Sequence, residues 1–182
     1  MRKVFLVLAS VFALGVANAQ TGKNQFGIGV DLGLPMGDFG DAAKLGIGGY
    51  AKYLHGVGSA GQVTLTTGYQ SYKFKDEVLD QDQSASLSII PILVGYRHNF
   101  SGLFLEPQLG YGIYGSKVTM GGVSASDSEG SFTWAIGTGY AMEQGLELGV
   151  RYQSTSKDGS TTSFIGLRVG YNFSLGGGSA SK

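Results

Sequence analysis

Large apolar side chains recur at every second position along most of this chain. In Phe26-Gly27-Ile28-Gly29-Val30-Asp31-Leu32-Gly33-Leu34 they fill the even positions, with glycines and one aspartate between them. The alternation returns at Val63, Leu65, Thr67 and Tyr69, through Leu103–Ile113 and Phe132–Tyr140, and again in Leu146–Tyr152 and Ile165–Phe173. A period of two puts one set of side chains on one face of a β-strand. Two weaker segments, Leu45–Tyr53 and Leu87–Arg97, bring the expectation to about eight strands of roughly ten residues, the span of a tilted membrane-crossing strand.

The connections alternate in length. Long polar ones are expected at Pro35–Lys44, Lys75–Ser84, Ser116–Gly130 and Thr155–Thr161, and short ones at Leu54–Ala60, His98–Gly102 and Met142–Gly145. Long loops at one end and tight turns at the other are the pattern of an antiparallel up-and-down barrel in an outer membrane. The face opposite the apolar one carries few ions. In the last segment it reads Phe164, Gly166, Arg168, Gly170, Asn172. Such a face suits the narrow interior of an eight-stranded barrel better than a solvated exterior. The apolar face then meets lipid, and closure satisfies every backbone group.

Aromatic positions give an independent sign. With the strands alternating in direction, Phe26, Tyr53, Tyr96, Tyr140, Tyr171 and Phe173 fall near one end, and Tyr69, Tyr111, Phe132 and Tyr152 near the other. Two aromatic girdles flank the lipid-facing band of such barrels.

Composition narrows the class further. The 182 residues suit one domain, and charged residues are only 14% of them, well below the roughly 25% usual in soluble domains. The formal net charge is zero and basic residues are scattered, so no nucleic-acid footprint is present. The chain has no cysteine, which excludes disulfides, thiolate metal sites, a cysteine nucleophile and lipoprotein attachment. Residues 1–19 read as a signal peptide: Arg2 and Lys3, the apolar run Val4–Val16, then Ala17-Asn18-Ala19 as a cleavage site. The expected organisation is that leader, an all-β transmembrane barrel domain over 20–175, and a Gly/Ser tail over 176–182.

The close Leu167-Arg168-Val169-Gly170-Tyr171-Asn172-Phe173 and the strand Ile89–Arg97, with the leader and the alternation, resemble the small outer-membrane β-barrel family. That family includes OmpX-like barrels and the membrane part of OmpA-like ones. The resemblance covers about residues 21 to 175. It implies a bacterial outer-membrane location, a setting of outer-membrane lipid and lipopolysaccharide, and delivery by periplasmic chaperones. It also implies that Gly170, Tyr171 and Phe173 belong to a C-terminal signal read by the barrel-assembly machinery. The chain departs from the pattern in that Ser174 to Lys182 follow the aromatic.

Few residues offer chemistry. Glu106, Glu147, Arg151 and Arg168 stand inside strands on the non-lipid face, where they are expected to point inward and pair as a plug or a polar gate. Lys52 shares that parity, near the turn-bearing end. Glu147 is expected opposite residue 170, with Arg168 as its diagonal partner. His55 and His98 fall in expected periplasmic turns, away from where a lipid-modifying enzyme needs a base. Asp76, Glu77, Asp80 and Asp82 cluster in a loop without EF-hand spacing. Asp38-Phe39-Gly40 has no kinase context. No cofactor, metal or nucleic-acid partner is expected. The expected role is a non-enzymatic barrel anchoring surface loops, with a possible extracellular ligand on them. The alternatives are a narrow pore or small hydrophobic-molecule transporter and, less favoured, a lipid-modifying enzyme.

Overall fold

The computed structural model describes residues 24–75, 77, 83–120, 123–157 and 160–175. The expected leader and tail, and Asp76, Asp80 and Asp82, lie outside the described residues. Eight antiparallel strands close on themselves in sequence order: β1 (Asn24–Met36), β2 (Gly46–Val57), β3 (Gly61–Lys73), β4 (Gln83–Phe100), β5 (Leu103–Met120), β6 (Val123–Ala141), β7 (Leu146–Lys157) and β8 (Ser160–Leu175). A short helix, α1 (Asp38–Ala42), sits between β1 and β2. Closure comes from β1 against β8, with Asn24 paired to Leu175 and Met36 to Ser163.

The period of two becomes two surfaces. Ile28, Val30, Leu32, Leu65, Leu109, Trp134, Val150 and Val169 are all exposed on the outer wall, each at least 40%. An apolar belt of that extent is a liability in water and is the lipid-facing band of a membrane barrel. The girdles are present. Phe26 pairs in register with Tyr53 on one side and Phe173 on the other, and Tyr111 pairs with Phe132. Tyr171 and Phe173 face outward with their rings 4.8 Å apart.

The inner face explains much of the glycine. Tyr50 lies flat across β1 and β8, so that a Cβ on Gly29 or Gly170 would collide with its ring. Narrow barrels fill their bore with side chains, and each large inward residue needs a glycine on the strand it crosses. A different demand sets Ser101-Gly102, the two-residue turn between β4 and β5. Both residues have positive φ, 54° and 100°, the combination that matches a hairpin's right-handed twist.

Several boundaries differ from the sequence expectation. The strands run from 12 to 19 residues, longer than the ten expected. Ser116–Gly130 is not a loop: β5 and β6 stay paired from Leu103↔Tyr140 to Met120↔Val123. Its residues are mostly polar or small, and Val118, Met120 and Val123 are too few to make a sustained alternation that would reveal it. Thr155–Thr161 is likewise mostly strand, paired out to Lys157↔Ser160. His55 and His98 lie within β2 and β4, at their turn-bearing ends, because both strands run past the expected turn starts.

Candidate functional site in the barrel interior

From the loop end inward, the bore is built in tiers. The first is apolar. The chain folds back after β1 so that α1 carries Phe39 inward, where it joins Ala43, Tyr72, Ile89 and Phe164 in a buried cluster. Phe39 meets Tyr72 edge-on at 5.0 Å between centroids, and Tyr72 meets Phe164 at 5.7 Å. Lys75 Nζ donates to the Gly40 carbonyl at 2.8 Å, which ties the helix to the third strand's exit. The Asp-Phe-Gly tripeptide of the sequence is thus part of a hydrophobic cap.

Beneath the cap lies the first charged tier. Arg151 Nη2 donates to Asp31 Oδ2 at 3.2 Å. Arg168 Nε stands 3.3 Å from the same oxygen, and its guanidinium stacks on the Tyr50 ring at 3.6 Å, a cation–π contact strengthened by the burial of both side chains.

The second charged tier sits closer to the turn end. Lys52 Nζ donates to Glu106 Oε2 at 2.9 Å and to Glu147 Oε1 at 3.1 Å. Arg97 Nη1 donates to Glu147 Oε2 at 2.6 Å, and its guanidinium lies 3.7 Å over the Phe104 ring. Thr64 and Gln108 donate to Glu106 Oε1, each at 2.8 Å, and Asn172 donates to Glu147 Oε2 at 2.8 Å. Every oxygen of the two glutamates therefore has a partner, as buried carboxylates require.

Below this tier the bore opens. A vestibule of about 570 Å³ at the turn end is lined by Gln25, Gln62, Arg97, Asn99 and Asn172, among others. Carboxamides chain across its wall, Asn99 to Gln62 at 3.1 Å and Gln62 to Gln25 at 3.0 Å.

The four interior residues singled out from sequence, Glu106, Glu147, Arg151 and Arg168, are all buried and inward. They do not form one group. Glu147 does lie opposite Gly170, but it binds Lys52, Arg97 and Asn172, while Arg168 binds Asp31. The expected Glu147–Arg168 pair is replaced because closure of β1 on β8 brings Asp31 directly opposite Arg168. Sequence reasoning missed Asp31 and Arg97 as interior ions. Strand parity was the available signal for both. Among the described residues, no group of three or more His, Cys, Asp or Glu could hold a metal ion. Of the C-terminal residues, Gly170 is buried under Tyr50 while Tyr171 and Phe173 face the lipid side.

A closed eight-stranded barrel with a lipid-facing belt and a packed polar bore defines a transmembrane barrel of the bacterial outer membrane. Residues 4–173 match the family model of the outer membrane protein beta-barrel domain, and the chain belongs to that family. No curated protein sequence matches it. Among solved structures it is similar to Ail, the attachment invasion locus protein of Yersinia pestis, with a TM-score of 0.64 and 18% identity over 85% of this chain and 100% of that one. It is similar to Neisserial surface protein A, with a TM-score of 0.57 and 15% identity over 84% and 97%. It is also similar to the N-terminal barrel of Pseudomonas aeruginosa OprF, with a TM-score of 0.54 and 15% identity over 84% and 100%. At these identities the likeness is one of fold.

Proposed function

We propose that the protein is a non-enzymatic, non-conducting anchor that presents an exposed β-sheet to partners outside the cell. The observation that carries this reading is a mismatch in strand length. β4, β5 and β6 have 18, 18 and 19 residues, against 12 for β2 and β7. Pairing of β6 with β7 ends at Thr133, one residue short of the girdle residue Phe132. Beyond it β5 and β6 continue together to Met120↔Val123, a projection of roughly 20 Å at about 3.3 Å per residue and the usual barrel tilt. Ser124–Glu129 are exposed on both faces of this sheet, a composition that gains nothing from lipid.

The tiers of the bore support the non-conducting half of the proposal. An apolar cap and two paired charge clusters occupy the space a channel would need. His55 Nδ1 donates to Asn24 Oδ1 at 2.7 Å, and both histidines lie at the turn end, which disfavours a lipid-modifying reaction at the outer leaflet.

The test is a variant with Gly115–Ser128 replaced by Asn-Gly, closing the hairpin on the Tyr114↔Glu129 pair with a favoured two-residue turn. It is expected to fold and keep heat-modifiable mobility. Ail, whose fold is similar, is by name an attachment protein, so host cells serve as the probe: bacteria displaying the full chain are expected to adhere to them, and bacteria displaying the variant are not. Equal binding by both contradicts the proposal.

A further inference from the structure

We infer that the barrel interior binds one small monovalent anion of the halide class between Arg151 and Arg168. Four cations, Lys52, Arg97, Arg151 and Arg168, face three carboxylates, Asp31, Glu106 and Glu147, among the described buried residues. The imbalance is local. Lys52 and Arg97 are matched by Glu106 and Glu147, whereas Arg151 and Arg168 share one aspartate oxygen. A guanidinium stays charged inside a protein, and a buried charge without a counterion is strongly destabilising.

The unused donors belong to the same two residues. Nε and Nη1 of Arg151 and Nη2 of Arg168 are buried without a hydrogen-bond partner, and Arg168 Nε, although 3.3 Å from Asp31 Oδ2, is not aligned to donate to it. Both arginines line a cavity of about 10 Å³, together with Lys52, Glu106, Gln108, Glu147 and the backbone of Gly137 and Gly149. That volume admits about one water-sized particle, so a monatomic anion enters with a small outward shift of the flexible side chains around it, and sulfate or phosphate is excluded. The glutamates on the cavity wall already spend all four oxygens on other donors. Gln108 Oε1 is the open acceptor on that wall, and Asp31 Oδ1, outside the cavity lining, is likewise buried without a partner. A water would satisfy it and one or two guanidinium N–H groups, but would leave the charge unanswered.

The experiment measures urea unfolding of the mature barrel in detergent, in sodium chloride or bromide against sodium gluconate at equal ionic strength. A halide at about ten times its Kd is expected to shift the unfolding equilibrium constant about tenfold. Crystals grown in bromide are expected to show an anomalous peak within hydrogen-bond reach of Arg151 and Arg168. The variant Gln153→Glu adds a carboxylate at the next inward position of β7, where the native amide is fully buried with neither polar atom partnered. It is expected to lose the halide dependence and to be more stable than the native chain in gluconate. Equal stability in halide and gluconate, with no anomalous peak, means that water alone fills the cavity and overturns the inference. Halide dependence that persists undiminished in Gln153→Glu also overturns it, by showing a general salt effect. Should Gln153→Glu fail to fold, the native-chain stability series and the bromide peak decide the matter alone.

Discussion

The Asp31 carboxylate on β1 reaches the Arg151 guanidinium on β7, 3.2 Å away, by lying across the strand that separates them. That strand is β8, and the residue beneath the carboxylate is Gly166, which is paired with Arg151 on one side and Gly33 on the other. A Cβ at position 166 would land on the Asp31 carboxylate. Gly166→Ala is therefore expected to cost about 1–3 kcal/mol, the usual range for overpacking a filled core. Urea unfolding in detergent checks it, and an unchanged midpoint would mean that the crossing is not needed.

Lys52 bridges two glutamates and is the hinge of the second charged tier. Lys52→Met leaves Glu106 without a cation, while Glu147 keeps Arg97, and is expected to cost about 3–5 kcal/mol, whereas Lys52→Met with Glu106→Gln should cost clearly less. The double-mutant cycle on this pair should give coupling of about 1 kcal/mol or more. The corresponding cycle on Glu147 and Arg168, which share a cavity wall but no ion pair, should give clearly weaker coupling. Strong coupling in the second cycle and none in the first would invert the assignment of partners.

Tyr171 and Phe173 pack ring to ring on the outer wall, and Phe173 pairs with Phe26 at the seam where the barrel closes. Leu175 ends the same strand opposite Asn24. Phe173→Ala is expected to reduce insertion into the outer membrane severalfold, and Leu175→Ala to have little effect. Fractionation and heat-modifiable mobility measure both. The reverse order would remove the basis for reading Gly170, Tyr171 and Phe173 as an assembly signal.

Orientation follows from the projecting sheet. A cysteine at Ser126, exposed at the far end of β6, is expected to react with a membrane-impermeant maleimide on intact cells. A cysteine at Glu143, in the turn between β6 and β7 that lines the vestibule, is expected to react only after the outer membrane is opened. Labelling in the opposite order would place the sheet in the periplasm.

Much of this fold was legible in the sequence, and the reasons are physical. Parity alone sends Glu106, Glu147, Arg151 and Arg168 inward, because a one-residue slip would put each of them in lipid. Even the position of Glu147 opposite Gly170 follows from one hairpin. Partner choice does not. Asp31 finds Arg168 through barrel closure and Arg151 across an intervening glycine, and neither relation is local in sequence. Arg97 was obscured by the continuous apolar run before it. The projecting ends of β5 and β6 look like loop in the sequence because they carry no sustained apolar face. Phe39 was hidden in a polar segment, since one buried ring on a single helical turn leaves no period to detect.

The proposed anchor role requires a bore that is closed by packing. Phe39, Tyr72 and Phe164 seal one tier, and the Asp31 and Lys52 clusters seal two more. Single-channel recording of the purified barrel in planar lipid bilayers tests this most directly. The account predicts no discrete conductance steps in the native protein. Reproducible ohmic steps from the native barrel, growing when Phe39 is replaced by alanine, would contradict it and make the protein a pore.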